Sequence, residues 1–216
     1  MNPSTSLNPQ QREAVETTRG PMLILAGAGS GKTRVIVHRI AHLIREQVPP
    51  SRIIAVTFTN KAANEMKERL SQMLGESGKG VHLSTFHSLG VRILRETIDL
   101  LGYHKNFVIY DSQDQLALIR NLMDEEGISE SPLIDPKSAQ QMIHHAKTRG
   151  TSPEELLVPN ALPRTRLACQ LYRQYQDTLK GCNALDFEDI LNFCLKLFES
   201  HADKMQEVRD RFRYVM

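Results

Sequence analysis

The 216-residue chain lacks a dominant charge, a disulfide framework and any long apolar run. Its formal net charge of +2 does not by itself indicate a nucleic-acid partner. The three cysteines are an odd number and fit no zinc-ligand spacing, so we expect reduced thiols. No run approaches the roughly 18 apolar residues that cross a bilayer, and no basic segment followed by an apolar one opens the chain. These absences favour a cytoplasmic protein without a membrane segment.

The charge is distributed unevenly along the chain. Residues 1–103 carry 13 Lys and Arg against 8 Asp and Glu, whereas residues 104–182 carry 9 against 10 and residues 183–216 carry 5 against 7. A mildly basic N-terminal part is compatible with a phosphate-bearing partner, and equally with an ordinary solvated surface.

A glycine-rich turn follows the apolar run Met22–Ala26 and leads into Gly-Lys-Thr. Its glycines permit backbone angles that a Cβ would resist, so that successive N–H groups can face one anion. Lys32 adds a charge for the β- and γ-phosphates, and the Thr33 hydroxyl suits Mg²⁺. We therefore predict that Lys32 and Thr33 act on the phosphates of ATP, with Thr33 as a magnesium ligand. The predicted phosphate loop is made of Ala26, Gly27, Ala28, Gly29, Ser30, Gly31, Lys32 and Thr33.

One position departs from the phosphate-loop pattern G-x-x-x-x-G-K-[ST]. Ala26 stands where the pattern begins with glycine. Alanine is small and closes the preceding apolar run, so we expect the exchange to be tolerated.

Three short apolar runs predict buried parallel strands, each followed by a helical pattern. The predicted strands are Met22–Ala26, Ile53–Thr57 and Val81–Ser84. The predicted helices after them are Thr33–Arg45, Ala62–Leu74 and Phe86–Leu101. Strands that alternate with helices favour right-handed crossovers and a parallel sheet. We therefore expect an α/β fold.

The second half of the sequence has a helical character. Further helices are predicted over Asp111–Gly127, Asp135–Arg149, Thr165–Lys180 and Asp186–Ser200. No strong strand pattern separates the first three, which favours a helical insertion in an α/β domain. An apolar run with strand character begins at Phe212 and the sequence ends inside it, so we expect the chain to be part of a longer protein.

Aromatic and polar side chains follow two of the predicted strands, where open α/β sheets bind ligands. Exposed rings at these points would stack on unpaired bases, while hydroxyl and amide groups would hold phosphates without reading sequence. The candidates are Thr57, Phe58, Thr59 and Asn60 after one strand, and Thr85, Phe86 and His87 after the next. Burial of Phe58 as a cap on the sheet is the alternative for the first group, and a purely structural role of His87 is the alternative for the second.

Five segments together resemble the N-terminal part of a UvrD/Rep/PcrA-type DNA helicase of superfamily 1. Residues 7–15 are similar to the family's Q motif, and residues 26–34 to its motif I. Residues 57–63, 84–89 and 185–191 are similar to motifs Ia, Ib and Id. Each of these motifs is moderately specific by itself. All five occur in the order that the family has, which makes the resemblance very specific.

The resemblance implies an ATP-driven 3′→5′ translocase on single-stranded DNA that separates duplexes and acts at duplex junctions. It implies a RecA-like motor domain 1A over residues 1–103 and 183–216, with a helical insertion 1B over residues 104–182. The acidic Walker B carboxylates, the second motor domain 2A and its arginine fingers would lie outside this sequence. We therefore expect the chain alone to bind nucleotide weakly without appreciable turnover.

The resemblance also assigns roles to three further side chains. Gln11 can donate to and accept from the adenine edge, and the guanidinium plane of Arg34 can stack on the base. Phe187, at the start of a helix, would face the DNA groove.

Three other interpretations stay open at this point. The chain could be the front part of a RecB/AddA-type helicase-nuclease, which only sequence after Met216 would reveal. It could be a nucleotide- or DNA-binding module without activity, which a reading frame continuing into Asp-Glu would exclude. A P-loop kinase would need an acceptor-binding lid and would leave the aromatic residues at the strand ends unexplained.

Overall fold

The computed structural model describes residues 7–157 and 161–216, which form α-helices joined to short parallel strands. In chain order the elements are α1 (Pro9–Glu16), α2 (Lys32–Arg45), β1 (Ile53–Thr57), α3 (Asn60–Leu74), β2 (His82–Thr85), α4 (Phe86–Thr97), β3 (Val108–Ile109), α5 (Ser112–Glu125), α6 (Pro136–Thr148), α7 (Pro153–Leu156), α8 (Pro163–Gly181), β4 (Ala184–Leu185), α9 (Phe187–Ser200), α10 (Ala202–Arg211) and β5 (Tyr214–Val215). Short 3₁₀ turns occur at Pro50–Arg52, Gly75–Gly78 and Ile98–Leu101. Among the described helices, none is both long and apolar enough to span a bilayer.

The chain divides into two compact units. Unit 1 comprises Met1–Leu89 and Asp203–Met216, and unit 2 comprises Gly90–Ala202. The predicted division into 1A and an inserted 1B stays a prediction, because compactness alone does not define a motor domain.

Unit 1 is built on a parallel sheet in the order β2-β1-β5. The register pairs Thr57 with Thr85 at one end of β1 and β2, and Ile53 with Tyr214 in β1 and β5. The β-branched run of β1 suits a strand covered on both faces, and Ile53, Ile54 and Ala55 are buried. Helices α2 and α3 supply the apolar side chains that pack against it: Val37, Ile40, Leu43, Met66 and Leu70.

Unit 2 is mainly helical. Two residues of β3 pair in parallel with two of β4, with Val108 opposite Ala184. Helices α5, α6 and α8 enclose a core around Tyr175 and Met123, and a second cluster packs around Phe107 and Leu94. The helical members of both clusters repeat at helical spacing, whereas Phe107 and Leu185 join the second cluster from outside the helices.

The predicted first strand is wrong. Residues 22–26 are irregular, and Leu23 and Leu25 are 82% and 87% exposed. A strand needs a neighbour for its N–H and C=O groups, and no segment within the described residues pairs with this one. Apolar composition indicated a strand, but it could not indicate whether a pairing edge was available.

The other strands and helices that the sequence predicts agree closely with the structure. Strand β1 has the predicted bounds, and β2 is shifted by one residue. The helix predicted over Phe86–Leu101 ends at Thr97 and continues as a 3₁₀ turn, which stops at Gly102 with a left-handed φ of 79°. The α/β class with a parallel sheet is confirmed.

Candidate functional site

The glycine-rich turn leads directly into helix α2. Gly31 is the N-cap of α2, with a φ of 86°, and Gly29 has a φ of 75°. Both values lie in the left-handed region that favours glycine. Gly27 has no such angle, so the loop requires glycine conformations at two of the three predicted positions. Ser30 closes the turn by donating from its hydroxyl to the carbonyl of Gly27 over 2.7 Å.

The N-terminus of α2 is suited to an anion. No side chain caps it by a hydrogen bond, and the first N–H groups of a helix have no intrahelical acceptor. The helix dipole adds a positive potential at the same place. The turn therefore leaves backbone donors that a phosphate could accept from, and the phosphate-binding role stays a prediction.

Lys32 is folded back over its own loop. Its Nζ donates to the carbonyl oxygens of Gly27 at 2.7 Å and Ala26 at 3.0 Å. The side chain is exposed, so it can exchange these acceptors for phosphate oxygens without disturbing packed groups.

Thr33 lies one residue further along α2 and is half-buried. The described residues hold no group of three or more His, Cys, Asp or Glu side chains that could bind a metal ion. The Thr33 hydroxyl could supply one ligand to Mg²⁺, which otherwise prefers waters and phosphate oxygens. Together the bare helix terminus, the loop and Lys32 fit ATP with Mg²⁺.

Gln11 reaches the loop from helix α1. Its Oε1 accepts from the N–H of Asn8 at 3.1 Å as part of a capping box. Its Nε2 donates to the carbonyl of Ser30 at 3.0 Å. One N–H and one lone pair of the amide remain, so an adenine edge could still be recognised.

Arg34 lines a shallow groove between α2 and α3. The groove has a volume of about 380 Å³ and also contacts His38, Arg69 and Met73. Partial burial lowers the pKa of His38, and the nearby Arg34 and Arg45 guanidinium groups lower it further. The neutral imidazole adds no charge to a groove that already holds Arg34.

Two aromatic rings stand side by side at one end of the sheet. The register pairs Thr57 with Thr85, and each threonine is followed by a phenylalanine. The rings of Phe58 and Phe86 have centroids 5.5 Å apart at an angle of 46°. Phe58 is 89% exposed and Phe86 is 41% exposed. The alternative that Phe58 is buried is therefore wrong, and the pair offers a stacking surface.

The polar residues next to this aromatic pair differ in burial and in their hydrogen bonds. Thr59 Oγ1 caps α3 by accepting from the N–H of Ala62 at 3.2 Å. Thr85 is buried, and its Oγ1 accepts from the N–H of Ser88 at 3.1 Å. These two hydroxyls therefore have structural acceptor roles. Thr57 and His87 are half-buried, and Asn60 is exposed.

Phe187 belongs to unit 2, where it is the first residue of α9 and is 44% exposed. Asp186 before it is the N-cap and accepts from the N–H of Asp189 at 2.9 Å. Asp186 and Asp189 form a capping box at the start of α9.

Sequence reasoning missed a buried charged cluster beside this turn. Lys147 is 2% exposed and lies 2.5 Å from Asp186 and 2.7 Å from Asp189. A signal was present, because Ala139, Ile143 and Lys147 recur at four-residue spacing and place the lysine on the apolar face of α6.

Comparison with known proteins agrees with this geometry. The sequence profile of the family described as UvrD/REP helicase N-terminal domain matches residues 7–216. The chain belongs to this family. A Bacillus subtilis relative named ATP-dependent DNA helicase PcrA is 43% identical over 212 residues, which are 98% of this chain and 29% of the relative. Relatives of the same name from Staphylococcus epidermidis and Staphylococcus aureus are 40% identical over 97% of this chain and 29% of their own length.

These matches cover only the N-terminal part of each UvrD/REP relative. The chain spans about 29% of the length of the curated relatives it matches. The family assignment therefore covers this N-terminal domain, and the activity of a whole protein is a separate question.

Proposed function

We propose that this chain is the ATP-binding front part of an ATP-dependent 3′→5′ DNA helicase that translocates on single-stranded DNA and unwinds duplexes. The exposed Phe58–Phe86 pair at the carboxyl end of a parallel sheet carries the proposal. Base–aromatic stacking of this kind tolerates any sequence, as a translocating motor requires.

Each unit has a part in this proposal. The loop of unit 1 holds the phosphates, with Lys32 as the mobile charge and Thr33 as one ligand for Mg²⁺. Gln11 and Arg34 recognise the base. Unit 1 forms part of the RecA-like motor domain, while the helices of unit 2 include the proposed 1B insertion and present Phe187 to DNA.

ATP with Mg²⁺ would supply the free energy of phosphoryl transfer when bound. The rate of that transfer depends on positioning and charge neutralisation. In this chain Lys32 neutralises phosphate charge and the N-terminus of α2 orients it. The carboxylates and arginines that the resemblance assigns to turnover are outside this sequence. We therefore propose that the chain alone shows no appreciable steady-state ATPase activity, and a rate typical of a complete helicase would contradict this.

The two sites are tested with separate probes on the same variants. Phe58→Ala should weaken binding of a labelled oligothymidine by about 5- to 150-fold, because stacking contributes about 1–3 kcal/mol per base. Lys32→Met should weaken binding of a fluorescent ATP analogue with Mg²⁺ by about 10- to 150-fold, because a charge-assisted hydrogen bond contributes about 1.5–3 kcal/mol.

Controls separate these effects from general surface changes. Leu162→Ala removes an apolar side chain that is 71% exposed in unit 2, and Lys79→Met removes an exposed cation of unit 1. Both should bind DNA and ATP as the parent chain does. Unchanged affinities for Phe58→Ala and Lys32→Met would refute the two site assignments.

The alternatives remain testable. A nuclease domain encoded after Met216 would favour the interpretation as a RecB/AddA-type helicase-nuclease. Binding of DNA without any response to ATP and Mg²⁺ would favour a module without activity.

A further inference from the structure

The buried cluster in unit 2 saturates the donors of one lysine. Lys147 Nζ lies 2.5 Å from Asp186 Oδ2, 2.7 Å from Asp189 Oδ1 and 2.9 Å from Gln176 Oε1. An ammonium group has three donors. All three are therefore used inside the protein, which excludes Lys147 as a free contact for DNA.

The two carboxylates are also fully engaged. The other oxygen of Asp186 accepts from the N–H of Asp189, and Tyr175 donates its hydroxyl to Asp186 Oδ2 at 3.1 Å. Asp189 Oδ2 accepts from the N–H of Asp186 at 3.3 Å, and Gln176 donates to both of its oxygens. A network satisfied in this way fixes the positions of its members.

The network joins three helices at the first turn of α9. Lys147 lies on α6, Tyr175 and Gln176 lie on α8, and the two aspartates bracket the first turn of α9. Asn192 adds a second link, because its side chain donates to the carbonyl of Lys147 at 2.9 Å. Phe187 stands between the aspartates with 44% of its surface exposed. The direction of its ring therefore depends on how this turn is held.

We propose that Lys147 is a positioning residue that orients Phe187 for stacking on single-stranded DNA. The proposal rests on the proposed function in one respect, that Phe187 contacts DNA. Stability does not explain the cluster, because replacing a buried ion pair by apolar groups is often neutral or stabilising. In this proposal, the charged cluster at the base of the exposed aromatic residue fixes the direction of its ring.

The titratable groups around Lys147 support this arrangement. They are Asp186 and Asp189 at the start of α9, together with Tyr172 and Tyr175 on α8 and Tyr103, whose hydroxyls are affected by the charges of these aspartates. Burial raises the pKa of each tyrosine, and the aspartate charges raise it further. The hydroxyl groups therefore stay protonated at neutral pH, and those of Tyr172 and Tyr175 donate to the carbonyl of Thr151 and to Asp186 Oδ2. Burial also raises the pKa of Asp189, an effect that the Lys147 ammonium opposes.

The first experiment reads the orientation of residue 187 without DNA. The chain contains no tryptophan, so Phe187→Trp introduces a single indole whose emission maximum and acrylamide quenching report its surroundings. Adding Lys147→Met should shift both. The matched control is Leu162→Trp at the N-cap of α8, a position that is 71% exposed, where Lys147→Met should change neither. Equal changes at both positions, or none at 187, would overturn the proposal.

The second experiment tests the coupling to DNA in the full chain with a labelled oligothymidine. Phe187→Ala and Lys147→Met should each weaken binding at least about fivefold. The double variant should bind no more weakly than Phe187→Ala alone, because Lys147 acts through that ring. Additive losses would show a general structural effect and overturn the proposal.

A third variant covers loss of folding. If Lys147→Met does not show a cooperative thermal transition, Tyr175→Phe replaces it, because this change removes one donor to Asp186 with little change in volume. It should shift the indole at 187 in the same direction by a smaller amount, and no shift would overturn the proposal. If Phe187→Ala leaves DNA affinity unchanged, the assigned DNA contact fails, while the fluorescence result still decides the role of Lys147.

Discussion

Gln11 donates a hydrogen bond from Nε2 to the carbonyl oxygen of Ser30 across 3.0 Å, which ties helix α1 to the phosphate loop. The same amide accepts from the backbone N–H of Asn8. Gln11 therefore joins the start of the described chain to the loop 19 residues later. This link gives the residue two separable roles, one in holding the loop and one in recognising a base.

Gln11→Ala should distinguish these roles. If Gln11 contacts adenine, the variant loses affinity for ATP, by about 5- to 20-fold for one or two hydrogen bonds, but keeps its affinity for inorganic triphosphate. Isothermal titration with both ligands is the measurement. Equal losses for ATP and triphosphate would show that Gln11 acts only by holding the loop.

Gly31→Ala should destabilise unit 1 and weaken phosphate binding. The left-handed angle at Gly31 costs an L-residue about 1–2 kcal/mol, and an added Cβ would lie 3.1 Å from Gln11 Nε2. Urea unfolding should show this loss. Gly27→Ala is the matched control, since a Cβ there meets nothing within 4 Å, and its stability should equal that of the parent. A stable Gly31→Ala variant would contradict the loop geometry.

Thr85→Val should lower stability and leave DNA affinity of the folded protein unchanged. The buried Oγ1 accepts from the N–H of Ser88 and shares a hydrogen bond with its hydroxyl at 2.8 Å. Losing such a cap costs about 1–2 kcal/mol. Thr85→Ser keeps the hydroxyl and should retain most of the stability in thermal unfolding. Loss of DNA binding at unchanged stability would instead make Thr85 a direct contact.

Acid should weaken the folded state through the caps of α5 and α6. Backbone N–H groups lower the pKa of Asp111, and hydrogen bonds from Ser138 lower the pKa of Asp135. Because both carboxyls have a lower pKa in the folded state, their stabilisation is present above about pH 4 and is lost as the pH falls through the folded pKa.

The variant Asp111→Asn/Asp135→Asn tests this dependence, since asparagine also caps helices but does not titrate. Its free energy of unfolding should change less steeply than that of the parent below about pH 4. Parallel curves for the two proteins would show that other groups account for the acid response.

Much of the fold followed from local pattern. Strand β1 and helices α2, α3 and α9 were predicted because their apolar residues repeat at the period of the element they form. The strand over Met22–Ala26 was not realised, because pairing depends on a neighbouring edge that a local window does not contain. The two-residue strands β3 and β4 are too short to give a period, and they pair across 76 positions of sequence.

The candidate site was predicted unevenly for similar reasons. Gly29, Gly31 and Lys32 were found from a motif whose spacing encodes backbone geometry. The exposure of Phe58 was inferred from its polar neighbours, but its contact with Phe86 depends on strand register. The partners of Lys147 come from α8 and α9, up to 42 residues away. The sequence places the lysine on an apolar helix face, but the carboxylates that pair with it are known only from the folded structure.

The fold-back of Lys32 has a consequence for affinity measurements. Without nucleotide, the ammonium group already has two carbonyl partners, so an arriving phosphate exchanges contacts and gains only the difference between them. Raising the ionic strength should therefore weaken the attraction between Lys32 and the incoming phosphate more than the hydrogen bonds from Lys32 to its two carbonyl partners. The loop carries its own substitute ligand, and the dissociation constant for nucleotide reports a competition between the two.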